Sequence, residues 1–165
     1  MGLSCDSILR LMLQNGLDYE LLEEETRDYV FYPAIHLLAD SLPDNDDLMW
    51  AFLSLGESTT TRQAIQYVAI SSSFVASGSG YHEKDDAAGK RDSELNLMRV
   101  SDIAEVEVKS IDGLELRGEY TSAGRPHVKV RDKSSIDVTL GSRRLGRKSV
   151  SKLIGDLVRL VGASS

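Results

Sequence analysis

The sequence predicts an α+β fold: a helical N-terminal segment, then an antiparallel β-barrel of about seven strands, capped by a C-terminal amphipathic helix. Three observations carry this. Val150, Leu153, Ile154, Leu157 and Val161 fall at i, i+3, i+4, i+7 and i+11, one apolar stripe at helical period, with Lys148, Ser151, Lys152, Asp156 and Arg159 on the other face. At Leu48 the hydrophobic spacing changes from helical to alternating. From there to Leu140, β-prone runs alternate with turn residues at a spacing of roughly 8 to 12 residues. A single helix after a set of strands must cover something, and the open end or face of a small sheet is the natural target.

Taken in order, Ser4 to Gln14 carries Ile8, Leu9, Leu11, Met12 and Leu13; Asp6 or Ser7 can cap this helix, and Asn15-Gly16 ends it. Leu17 to Arg27 sets Leu17, Leu21 and Leu22 against Asp18, Glu20 and the run Glu23 to Glu25, which predicts a second helix with its acids in water. Tyr29 to Tyr32 reads either as extended chain or as the start of a helix, and Ala34 to Ser41 as a helix ending before Pro43. The turn cluster Leu42 to Asp47 divides a helical segment, residues 1–41, from a barrel domain, residues 42–165. Asp44 and Asp46 alternate as calcium-loop ligands do, but no Gly follows where such a loop needs its sharp turn, so a plain turn is expected.

Met49, Ala51 and Leu53 alternate with Trp50, Phe52 and Ser54, a strand apolar on both faces. A polar turn, Glu57 to Arg62, follows. Ala64 to Ser71 and Phe74 to Ser77 form a hairpin about Ser72-Ser73, with Gly78-Ser79-Gly80 ending it. His82 to Asp92 is expected to be an exposed, mobile charged loop. The remaining strands are Leu95 to Val100, Ile103 to Ser110, Leu114 to Tyr120, His127 to Arg131 and Ile136 to Leu140. Ser101-Asp102, Asp112-Gly113, Ala123 to Pro126 and Asp132 to Ser135 separate them. Ser149 is the expected N-cap of the last helix and Gly162 its left-handed stop.

Within this frame, the run Tyr67 to Gly78 is an apolar strand that ends in Ser, turns and re-enters as apolar residues. Val100 to Val108 is a polar pair, an Ile, a small residue and alternating Val. Together with the closing helix through Val150, Leu153, Leu157 and Val161, these stretches resemble a bacterial pleckstrin-homology-like (PH-like) domain over about residues 42–162. The resemblance implies a barrel that can serve lipid binding, peptide binding or scaffolding, and some members assemble into rings. Lipid-headgroup members place several Lys and Arg in the loop between their first two strands. This chain has Arg62 as the sole base from Glu57 to Arg62, which argues against phosphoinositide binding.

Composition narrows the function classes. A hydrophobic share of 41% with 27% charged residues is that of an ordinary folded domain rather than a disordered chain. The net charge of −7 is uneven: −10 over residues 1–60, balanced over 61–100 and +3 over 101–165. An acidic chain does not read as a phosphate-backbone binder, and no nucleic acid partner is expected. Cys5 is the single cysteine, so no intrachain disulfide or cysteine metal cluster can form; a reducing, cytoplasmic setting is the expectation. The most apolar run, Tyr29 to Ala39, is too short to span a bilayer and is interrupted by Pro33 and His36. Met1-Gly2 invites a myristoylation reading that Asp6 contradicts, since the sixth position should be Ser or Thr.

No catalytic motif is present. Cys5 has neither a glycine elbow nor a histidine near it in sequence, and an inert thiol is expected. His36, His82 and His127 lack metal-ligand spacing, and His36 with Asp40 at i, i+4 is read as a hydrogen-bonded pair. Tyr81 to Glu83, in a mobile loop, is a poor place to preorganise catalysis. Gly78-Ser79-Gly80 lacks the lysine and the helix of a phosphate loop. No enzyme, metal or cofactor is therefore expected.

The informative charged stretch is Arg143, Arg144, Arg147 and Lys148, just before the last helix, where an anion or acidic partner could bind. The acidic segment Asp18 to Asp28 is its natural counterpart, in the same chain or in a neighbouring copy. The expected function is a non-enzymatic interaction or scaffold module, acting by self-assembly or on a protein partner through edge strands and the groove beside the last helix. The alternative is binding of an anionic ligand, or a peripheral membrane surface, through those four bases.

Overall fold

A computed structural model describes residues 3–15, 17, 19, 22–55, 59, 61–83, 91–111, 125–140 and 147–163. Helix α1 (Cys5–Gln14) is capped by Ser4, ahead of both Asp6 and Ser7, the caps named from sequence. Ser4 has an extended backbone (φ −92°, ψ 149°), and its hydroxyl oxygen accepts the Ser7 N–H at 3.2 Å. Asn15 ends the helix and also ties it to the sheet, its Nδ2 donating to the Ala51 carbonyl at 2.9 Å.

The next helical stretch is one continuous element, not two. It runs as α2 (Glu24–Thr26), a π-helical turn (Arg27–Phe31) and α3 (Tyr32–Ser41). The helix expected from Leu17 starts only at Glu24, and Tyr29 to Tyr32 are helical. Pro33 accounts for the wide turn. Its ring would collide with the Tyr29 carbonyl in a regular α-helix, and it has no N–H to donate. Widening the preceding turn, so that the Tyr32 N–H reaches the Arg27 carbonyl, relieves that collision. Glu23, Glu24 and Glu25 face solvent as expected, while Thr26, Val30, Phe31, Ala34, Ile35 and Leu38 are buried.

Seven strands form two antiparallel sheets. The first holds β1 (Leu48–Leu55), β2 (Arg62–Ser71), β3 (Phe74–Glu83) and β4 (Arg91–Arg99) in the order β1-β2-β3-β4. A 3-10 turn (Val100–Asp102) leads into the second, with β5 (Ile103–Ile111), β6 (Arg125–Asp132) and β7 (Asp137–Leu140) in the order β5-β6-β7. No hydrogen-bonded ladder joins the two sheets among the described residues. Helix α4 (Arg147–Ala163) follows. The strand expected at 114–120, its hairpin turn at 112–113, residues 84–90 of the expected charged loop and half of the polar turn at 57–62 lie outside the described residues.

Three local expectations are corrected. β3 does not stop at the glycines but continues to Glu83, Gly78 standing opposite Tyr67 and Gly80 opposite Ile65. The glycines make room: a Cβ on Gly78 would come under 3.0 Å from Tyr67 Cζ and the Glu94 carbonyl, and one on Gly80 would sit 2.9 Å from Val30 Cγ1. His82 is not in a mobile loop. It pairs with Gln63 and Arg91 inside the sheet, only 2% exposed, with its ring edge-on to Tyr29 at 5.8 Å. Finally, α4 begins before Ser149 and runs through Gly162, so neither residue caps it.

The first sheet is buried on both faces. Alternation sends Ala51, Leu53, Ile65, Tyr67, Ala69 and Ala76 to one side, where Ile8, Met12, Val30, Phe31, Ile35 and Leu38 of the N-terminal helices cover them. It sends Trp50, Phe52, Ile70, Val75 and Met98 to the other, against Val128, Val130, Val138 and Leu140 of the second sheet and Val150, Leu153 and Leu157 of α4. This is why β1 reads as apolar throughout. At roughly 1.5 to 3 kcal/mol for each fully buried large side chain, the helical layer is a main contributor to stability. No helix of the described residues is long and apolar enough to cross a membrane.

Candidate functional site

The inner face of the first sheet is dry at one end and polar at the other. Its rungs read Ile70, Val75, Met98; then Val68, Ser77, Asn96; then Gln66, Ser79, Glu94. Across from the polar rungs stand Asp137, Val138 and Thr139 of β7, and the open cleft between them measures about 320 Å³. Ser79 Oγ donates to Glu94 Oε1 at 3.3 Å. Tyr67 Oη donates to the Glu94 carbonyl at 2.8 Å and holds that strand from beneath, and burial pushes its phenol pKa up.

β4 and β7 are each the terminal strand of their sheets, so the cleft lies between two edges with no further strand partner among the described residues. On the β7 wall, Arg131 Nε donates to Asp137 Oδ1 at 2.7 Å, and Lys129 Nζ lies 4.0 Å from Asp137 Oδ2. The Arg131 hydrogen bond holds the Asp137 carboxyl below its usual pKa. On β4 the charges are sided. Arg91 and Arg99 alternate onto the helix-covered face, where the Arg91 guanidinium lies 3.7 Å above the Tyr29 ring centroid. Asp92 and Glu94 alternate onto the cleft side and have no ion pair among the described residues.

Of the bases singled out from sequence, Arg143 and Arg144 lie outside the described residues, and Arg147 and Lys148 form the first two positions of α4. Two further sites surface only in three dimensions. Cys5 does have a histidine neighbour: α1 and α3 pack so that His36 Nδ1 lies 3.3 Å from Cys5 Sγ. The His36–Asp40 hydrogen bond expected from the i, i+4 spacing is not formed among the described residues. Buried His82 leaves Nε2 without a hydrogen-bond partner among them. The described residues hold no group of three or more His, Cys, Asp or Glu placed to bind a metal.

No family model matches the chain, and no curated protein matches it. Among solved structures, the hSac2 domain from human phosphoinositide phosphatase Sac2 is similar at 12% identity and a TM-score of 0.41, covering 78% of this chain and 81% of that one.

Proposed function

We propose that this chain is a non-enzymatic interaction module, a PH-like barrel backed by a helical layer, which takes up an extended protein segment along the cleft between β4 and β7. The observation that carries the reading is the pair of sheet edges, unpaired among the described residues, that flank a polar cleft. Four strands, then three, then a helix docked against both sheets supports the PH-like assignment. An added strand satisfies its backbone on an edge, and its alternate side chains enter the cleft. Ser77 and Ser79 line the cleft with no histidine among its described lining residues, which favours binding over nucleophilic catalysis. The segment belongs to a second copy or to another protein, and the single cysteine keeps the cytoplasm as the expected compartment.

Light scattering on the full chain at low and high salt, with amide exchange followed at β4 and β7, tests this. Association with new protection at those strands supports strand addition. Association that protects only other surfaces overturns it. A chain that stays monomeric at every salt removes self-assembly and leaves a second protein as the partner.

A second reading is anion or membrane-surface binding through Arg143, Arg144, Arg147 and Lys148. Arg147 and Lys148 stand at the positive end of the α4 dipole with no acid in that turn, an arrangement that a bound anion would stabilise. Binding to anionic vesicles that weakens with salt and disappears on charge reversal at these positions is its test.

A further inference from the structure

We infer that the segment this cleft accepts is an extended peptide of a partner protein with lysine or arginine at alternate positions and apolar residues between them. The inference rests on the strand-addition reading above. A strand laid beside β4 presents its side chains alternately to the two faces that β4 presents. On the cleft face its neighbours are Asp92, Glu94 and Asn96, and on the opposite face Ser93, Leu95 and Leu97. Leu97 is 43% exposed at this edge, an apolar surface with room for a neighbour. Among the described residues Glu94 is the carboxylate in the cleft without a cation, since Asp137, which also lines it, is already held by Arg131 and Lys129, and none of the described lining residues is Lys or Arg. The hydroxyls of Ser77 and Ser79 and the amide oxygens of Gln66 and Asn96 add acceptors for an ammonium or guanidinium group.

The second sheet of this protein displays the same chemistry already satisfied. Glu105 and Glu107 of β5 stand opposite Arg131 and Lys129 of β6, with valines alternating between them on both strands. Arg131 reaches Glu105 at 3.2 Å. β4 repeats the acidic half of that pattern through Asp92 and Glu94, but its inner neighbours are Tyr81 and Ser79 rather than bases. Its outer side has no basic strand among the described residues. The net charge of −7 draws a cationic segment toward the chain at low salt.

The test uses the full chain and a dye-labelled, end-blocked peptide of alternating valine and lysine long enough to span β4, followed by fluorescence anisotropy. A valine–glutamate peptide is the control. The valine–lysine peptide is expected to bind and the control not. Replacing the two exposed acids together (Asp92→Lys with Glu94→Lys) should weaken binding at least about tenfold, with the circular dichroism spectrum unchanged. N-methylation of alternate peptide amides should abolish binding in one of the two registers, because one edge of the peptide must donate to β4. Absence of binding, equal binding by the double variant, or indifference to N-methylation in both registers overturns the inference. If it fails while self-association protects β4, strand addition stands and a second copy is the occupant.

Discussion

Trp50 Nε1 donates a 2.9 Å hydrogen bond to Asp156 Oδ2, joining the first strand to the last helix. Asp156 is only 6% exposed, and its other oxygen accepts from Arg159. The Trp50 ring stacks on Phe52 at 5.6 Å, with Lys152 Nζ 5.8 Å from its centroid. The contact fixes the rotation of α4 over the apolar cluster. Asp156→Ala would leave the indole N–H buried without a partner and should cost about 2 kcal/mol in urea unfolding. Asp156→Asn, which keeps an acceptor, should cost less.

The glycines of β3 and α4 should respond to substitution with opposite sign. A Cβ at Gly155 meets nothing within 4 Å, so Gly155→Ala should stabilise α4 by about 0.5 to 1 kcal/mol. Gly78 is pressed by the Tyr67 ring and the Glu94 carbonyl, so Gly78→Ala should destabilise by more than about 3 kcal/mol. Thermal midpoints of the two variants check both.

Asp46 should make the fold acid-sensitive. Its carboxylate accepts the hydroxyls of Ser71 at 2.7 Å, Ser72 at 3.1 Å and Ser73 at 2.7 Å, clamping the β2–β3 turn. Burial pushes its pKa up, but these three bonds together outweigh it and hold the pKa below the usual value. The folded pKa is depressed, so the stabilisation is present above the unfolded value of about 3.9 and is lost as pH falls through the folded one. Asp46→Asn should lower stability at neutral pH by about 1 to 2 kcal/mol and flatten the urea-midpoint profile below about pH 5.

The helical layer and the sheets should unfold together. Phe31 is buried under the outer face of the first sheet, while Trp50 lies on the inner face. Phe31→Ala should cost about 3 to 5 kcal/mol and shift the transition reported by Trp50 fluorescence by the same amount. A Trp50 transition unmoved by this change would establish residues 1–41 as a separate unit.

Much of the element order was legible because it is written in local periodicity. The stripe from Val150 to Val161, the alternation in β1 and β5 and the Ser72-Ser73 turn are short-range patterns, and each sits where it was read. The errors fell where a residue's role depends on a distant neighbour. Gly78 and Gly80 signal a turn when read alone, yet they are strand residues because Tyr67 and Val30 need the space. His82 reads as a loop residue until the helical layer covers it. The cleft was not legible at all, since its lining is two or three residues from each of four strands far apart in the chain.

By itself the sequence determined the α+β class, the helical character of both ends and most strand positions, because hydrogen bonding and side-chain period act over a few residues. Only the tertiary structure decided that the N-terminal helices cover the outer face of the first sheet, that Asp156 turns inward to Trp50, and that Glu94 and Asp137 line one open cleft. Those are choices among partners far apart in the chain, set by which faces bury apolar area together and which buried polar groups find a mate.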